Sequence, residues 1–157
     1  MKLINLKNSN PALILVDVQK AFLEPNYPGL KRNNLGAEKT CGLILNKWRE
    51  LKLPVFHVRH SSVNPDSKLH ISKPGFSFND YVSPIKGEPV LTKSVNSAFI
   101  GTNLEILLND QNLETLIIVG MTTNHCISTT VRMSGNLGYK TYLISDSTAA
   151  YNTMGLD

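Results

Sequence analysis

The sequence predicts an α/β fold, with helices covering both faces of a mainly parallel sheet. Three observations predict it. Short apolar runs alternate with stretches of helical spacing. The crossovers between runs are long enough to hold a helix, and the first run is apolar throughout, as a strand buried on both faces must be.

Ala12 to Val16 is that first run, closed by Asp17. From Gly36 to Leu51, the residues Ala37, Cys41, Ile44, Leu45 and Trp48 recur at helical spacing. Pro54 to Val58 is the second strand. A polar excursion from His60 to Pro89 follows, broken by Pro65, Pro74 and Pro84. Val90 to Thr92 is a short third strand, and Thr102 to Leu108 a short helix with Thr102 as its N-cap. Leu116 to Val119 is the fourth strand, ending in Gly120. Asn124 to Leu137 is helical and stops at Gly138. Tyr139 to Ile144 is the fifth strand, ending at Ser145 and Asp146.

The 157 residues suit a single domain, 1–157, with no internal repeat. Sixteen basic against 12 acidic residues give +4, scattered without a stripe, so no nucleic-acid partner is expected. Cys41 and Cys126 sit in different settings and form no disulfide framework. The apolar run after the polar stretch Met1 to Asn10 is too short for a signal core or a membrane span, which makes the cytoplasm the expected location.

In such a sheet, ligands bind beyond the carboxyl ends of the strands. The residues there are Asp17, the region of His60, Lys93, Met121 to Cys126, and Asp146. Cys126 falls in the first turn of a predicted helix, where free N–H groups and the dipole favour a thiolate and can hold an oxyanion. Buried small hydrophobe is the competing role for a cysteine, and Cys41 fits it. Asp17, partly desolvated at a strand end, is expected to have a raised pKa suited to proton transfer. Gln19 follows it on the same side, and Lys93 ends the third strand. An acid, an amine and a thiol thus converge at one end of adjacent strands.

These residues resemble the isochorismatase-like cysteine hydrolases, which include nicotinamidases and N-carbamoylsarcosine amidases. The matching pieces are Leu15-Val16-Asp17-Val18-Gln19 with Phe22, Thr92-Lys93 through Ser97-Ala98-Phe99, Gly120-Met121-Thr122-Thr123-Asn124-His125-Cys126 with Thr130, and Asp146 through Ala150. The resemblance implies a three-layer α/β/α domain and a catalytic set of Asp17, Lys93 and Cys126. It also implies a cis peptide at Met121–Thr122 that turns the Thr122 N–H, beside that of Cys126, toward an oxyanion. Gln19, Phe22, His60 and Phe99 would line the substrate pocket. The implied reaction is hydrolysis of a small amide through a Cys126 thioester, in a homo-oligomer, without a cofactor.

Arg59-His60-Ser61 stands where nicotinamidases carry an Asp-x-His metal site, so no metal is expected. His57 and His60 fall on opposite sides of a strand. Cys126 argues against vinyl-ether cleavage, whose enzymes in this family lack it. The resemblance implies a further helix and strand beyond the position of Asp157, so the sequence is expected to be either a fragment or a fold trimmed at one sheet edge, where a missing edge would expose a strand. Two other readings compete with the amidohydrolase: a redox-sensing thiol protein, and a truncated, non-catalytic member.

Overall fold

A computed structural model describes residues 9–23 and 31–152. The polar N-terminal stretch up to residue 8 and the last five positions lie outside it.

Five strands form one parallel sheet in the order β3-β2-β1-β4-β5. β1 (Ala12–Val16), β2 (Val55–His60), β3 (Val90–Lys93), β4 (Thr115–Met121) and β5 (Lys140–Ala149) are joined by three helices, α1 (Ala37–Glu50), α2 (Leu104–Asp110) and α3 (Ser128–Asn136). β1 is apolar throughout because it lies centrally, between β2 and β4, and all five of its residues are buried.

Alternation along the strands divides the interior into two layers. Ile14, Val16, Phe56, Val58 and Ile118 face α2 and α3, where they meet Leu104, Leu108 and Ile127. Leu13, Leu15, Val55, Ile117 and Val119 face α1, where Cys41, Leu45 and Trp48 receive them. The result is the three-layer α/β/α arrangement.

Three elements differ from the sequence expectation. The third helix does not begin at Asn124: a π-turn spans Thr123–Ile127, and α3 starts after it. The helical spacing of the segment continues through the turn, which conceals the change of pitch. β5 does not end at Ser145 and Asp146. Ile118 pairs with Leu143 and Gly120 with Thr148, so β5 bulges through these polar residues and then pairs again up to Ala149. α2 starts at Leu104, two residues later than expected. The Thr102 hydroxyl still accepts the Leu104 N–H at 3.3 Å.

The chain runs outward from β1 through β2 to β3, then returns to β4 on the other side of β1. The topological switch point therefore lies between β1 and β4, and a crevice is expected beyond their carboxyl ends.

Candidate active site

Gly120 allows the two central strands a close approach. It pairs with Val16 and has φ of +128°, and a Cβ there would lie 1.9 Å from the Val16 carbonyl oxygen. Only glycine fits. This close approach sets the residue after β1 beside the turn after β4. Asp17 takes φ of +55°, a left-handed conformation that Asp tolerates better than most residues, and its N–H is tied to Val58 at 2.8 Å.

After β4 the Met121–Thr122 peptide is cis. The Thr122 carbonyl then accepts N–H groups from both His125 and Ile127, each at 3.2 Å, and the second of these closes the π-turn. Cys126 lies within that turn. The Thr123 and Thr148 hydroxyls meet at 2.8 Å, anchoring the turn to the end of β5. Thr130 on α3 accepts the Ala98 N–H at 3.1 Å, which holds the segment after Lys93 against the same helix.

Lys93 is the centre of the site. Its side chain is 0% exposed, and its Nζ lies 2.7 Å from Asp17 Oδ2, 3.3 Å from Cys126 Sγ and 3.3 Å from His60 Nδ1. β3 is not adjacent to β1: β2 stands between them. Two strand spacings amount to about 9–10 Å, a gap that calls for the longest flexible cation. Asp17 Oδ1 is buried without a hydrogen-bond partner.

Burial raises the Asp17 carboxyl above the ordinary carboxylate range, with the Lys93 ammonium pulling the other way. Burial, and then the Asp17 charge, push the Cys126 thiol up to about 12. Desolvation beside a carboxylate thus works against the thiolate that the dipole and N–H groups of a helix start favour. Burial and the Asp17 charge both favour the protonated thiol, beside a carboxylate able to take its proton.

The proposed pocket residues have different fates. His60 joins the cluster through Lys93. Gln19 is 0% exposed and is consumed by backbone, its Nε2 donating to His60 O (3.1 Å) and Phe76 O (2.9 Å) and its Oε1 accepting the His60 N–H (2.8 Å). It clamps the site from behind and leaves nothing for a substrate. Phe99 stacks on Tyr139 with ring centroids 5.8 Å apart, and Phe22 packs with Leu69 and Met121 in a separate cluster. Both rings are nearly closed to solvent and support the walls. Asn96, which sequence reasoning passed over, places its Oδ1 3.8 Å from Cys126 Sγ at the exposed mouth. Its position between Lys93 and Phe99, in a segment that turns back over the strand ends, was the available signal.

Asp17, His60 and Cys126 bring candidate metal-ligand atoms within 4.8 Å of one another. The Lys93 ammonium already bonds to all three, so a cation of the protein's own sits among them. Cys41 is buried, with its thiol against Ser147 O at 3.2 Å, and belongs to the core.

An acid, an amine and a thiol thus meet at the switch point of a parallel α/β sheet. The chain belongs to the isochorismatase family: the family profile described as "Isochorismatase domain" matches residues 11–155. It is 50% identical over 140 residues to YrdC, an uncharacterised isochorismatase family protein of Bacillus subtilis, covering 89% of this chain and 74% of that one. N-carbamoylsarcosine amidase of an Arthrobacter species is 30% identical over 149 residues, with 84% of this chain and 56% of the amidase covered. A crystal structure of an isochorismatase-family hydrolase from Chromobacterium violaceum superposes with a TM-score of 0.91 at 37% identity, covering 99% of this chain and 80% of that one. The family includes hydrolases that act on amides. Among the described residues, no helix is long and apolar enough to cross a membrane.

Proposed function

We propose that the protein hydrolyses a small amide through a thioester on Cys126. One observation carries the reading: Lys93 holds Asp17 and Cys126 together in a buried cluster while Asp17 Oδ1 has no partner. A buried acceptor with spare capacity beside a protonated thiol is the arrangement that general-base activation of a nucleophile needs.

The steps follow. Asp17 takes the Cys126 proton as sulfur bonds to the substrate carbonyl carbon. The N–H groups of Thr122 and Cys126 hold the oxyanion. Asp17 gives its proton to the leaving nitrogen as the C–N bond breaks, which releases ammonia or an amine and leaves the thioester. Asp17 then takes a proton from water, whose oxygen attacks the same carbon. The C–S bond breaks, and the proton returns to sulfur. Lys93 stays charged throughout, stabilising the ionised partner in each half.

A redox-sensing role fits less well, because a thiol held up at about 12 is a poor target for oxidants. The test is ammonia release from a panel of carboxamides, ureido acids and lactams, with mass spectrometry of the Cys126 adduct. Cys126→Ala should lower turnover by at least about 10⁴-fold and abolish the adduct. Unchanged hydrolysis by that variant removes the proposal.

A further inference from the structure

The Lys93 ammonium is a tetrahedral centre. Three of its vertices meet Asp17 Oδ2 at 2.7 Å, Cys126 Sγ at 3.3 Å and His60 Nδ1 at 3.3 Å, and the fourth is its own Cε. An oxygen, a sulfur and an imidazole nitrogen around one tetrahedral point are also the donor set of a zinc-type site with three protein ligands and one open position. Ligand atoms of Asp17, His60 and Cys126 lie within 4.8 Å of one another. Zinc bonds run about 2.0–2.3 Å, so each ligand would close on a central ion by roughly 1 Å.

Each ligand is prepared on the side away from that centre. The His60 ring also bonds the Val95 backbone. An ammonium only donates, so Nδ1 accepts from Lys93 and the ring's own N–H serves Val95. A metal-binding histidine is oriented in the same way, one nitrogen on the ion and the other N–H on a carbonyl. Gln19 fixes the backbone behind the ring, accepting the His60 N–H at 2.8 Å and donating to its carbonyl at 3.1 Å. Asp17 Oδ1 is buried without a hydrogen-bond partner, a lack that a bond to an ion would satisfy. Sulfur with imidazole favours zinc-class ions over magnesium or calcium. This set differs from the Asp-x-His pattern, whose place Arg59-His60-Ser61 takes.

Lys93 opposes such an ion. Its Nζ occupies the point where the ion would sit and repels it as a like charge. For a metal to enter, the lysine side chain swings aside and the thiol proton passes to solvent. The thiolate and the carboxylate, one negative charge each, then balance the two charges of the ion.

We propose that the catalytic cluster is also a binding site for one zinc-class divalent cation, held by Cys126 Sγ, His60 Nδ1 and an Asp17 oxygen, with Lys93 as the built-in competitor for its place. The ion switches the site off, because it takes both the nucleophile and the base. The site stands on its own geometry, and only the loss of turnover rests on the amidohydrolase reading.

The experiment titrates Co²⁺, a spectroscopic substitute for zinc, into the metal-free intact protein and into Lys93→Ala. A cobalt–thiolate bond gives a near-ultraviolet charge-transfer band and a tetrahedral ion absorbs strongly in the visible, and neither signal depends on turnover. Lys93→Ala should bind one equivalent with both signals, at least about 100-fold more tightly than the intact protein. Adding Cys126→Ala should abolish the charge-transfer band, and adding His60→Ala should weaken binding at least about tenfold. Mg²⁺ should not compete. Zn²⁺ should inhibit the intact enzyme, and a chelator should restore it.

No band in either protein, a band that survives Cys126→Ala, equal affinity with and without Lys93, or displacement by Mg²⁺ at similar concentration overturns the proposal. If Lys93→Ala does not fold, the intact protein in excess Co²⁺ decides: a band that Cys126→Ala removes supports the site, and its absence overturns it. Binding of this kind by a protein that hydrolyses no amide overturns the amidohydrolase reading and leaves the metal site standing. Hydrolysis by a protein that gives no band does the reverse.

Discussion

β2 carries two histidines three positions apart, each belonging to a buried cluster of charges on a different face of the sheet. On the α1 side, His57 joins Glu88 and Arg49. Glu88 accepts Arg49 Nε at 2.7 Å and Arg49 Nη2 at 2.8 Å, His57 Nε2 at 2.7 Å and Ile85 N at 3.1 Å. On the other side, His60 joins Lys93, Asp17 and Cys126, and Asp17 accepts Lys93 Nζ at 2.7 Å with the Cys126 thiol beside it. Burial pushes both carboxyls up. In Glu88 the bonds from Arg49, Ile85 and His57 overcome it and bring the acid down to about 2. In Asp17 burial prevails. A saturated carboxylate is a structural lock, and one with a bare oxygen is a group that can take a proton.

Removing each cluster's cation or acid tests the contrast. Lys93→Met should have the largest effect on stability, about 3–5 kcal/mol in urea unfolding at pH 8, because it leaves Asp17 buried without compensation. A folded carboxyl with a raised pKa is most favourable while protonated, so the loss should shrink as the pH is lowered toward 5. A loss independent of pH would show that Asp17 is not the group left stranded.

Glu88→Gln should cost about 1–3 kcal/mol through weakened bonds to Arg49 and His57, while turnover stays within about twofold. Because the folded pKa of Glu88 is depressed from 4.5 to about 2, its contribution is complete above pH 4.5 and is lost as pH falls through 2. The variant should lack that part of the acid-unfolding profile, and an unchanged profile would dissolve the distinction between the clusters.

The smallest effect is on the pH–rate profile of the intact enzyme. kcat/KM should fall on the acid side as Asp17 takes up a proton, with a midpoint above the ordinary value of 3.8. Cys126 should add no alkaline limb until about pH 12. An alkaline limb near 8, matched by thiolate absorbance at about 240 nm that titrates in the same range in the intact protein and is lost in Cys126→Ser, would mean that the sulfur ionises freely and that the two clusters differ less than their geometry indicates.

Much of the fold was legible because local pattern decides it. The unbroken apolar run of Ala12–Val16 marks a central strand, and the spacing of Cys41, Leu45 and Trp48 marks the helix covering one face. Asp17, Lys93 and Cys126 were legible as strand-end residues. The bulge in β5 was not, because Ser145 and Asp146 have the composition of a strand terminus while pairing resumes beyond them. The role of Gln19 was also hidden. Its place two residues after Asp17 suggests a pocket wall, but a clamp on His60 and Phe76 is made across 41 and 57 positions of chain.

By itself, then, the sequence determined the alternation of elements, the parallel sheet and the set of reactive side chains at its carboxyl edge, since hydrophobic periodicity and turn chemistry act between near neighbours. Only the tertiary structure decided that Lys93 reaches across β2 to Asp17, 76 positions away, and to Cys126, 33 away. It also decided that burial favours the protonated thiol and that His60 Nδ1 lies beside the ammonium. Protonation state and hydrogen-bond partner depend on burial and on distances of about 3 Å, which no spacing along the chain encodes.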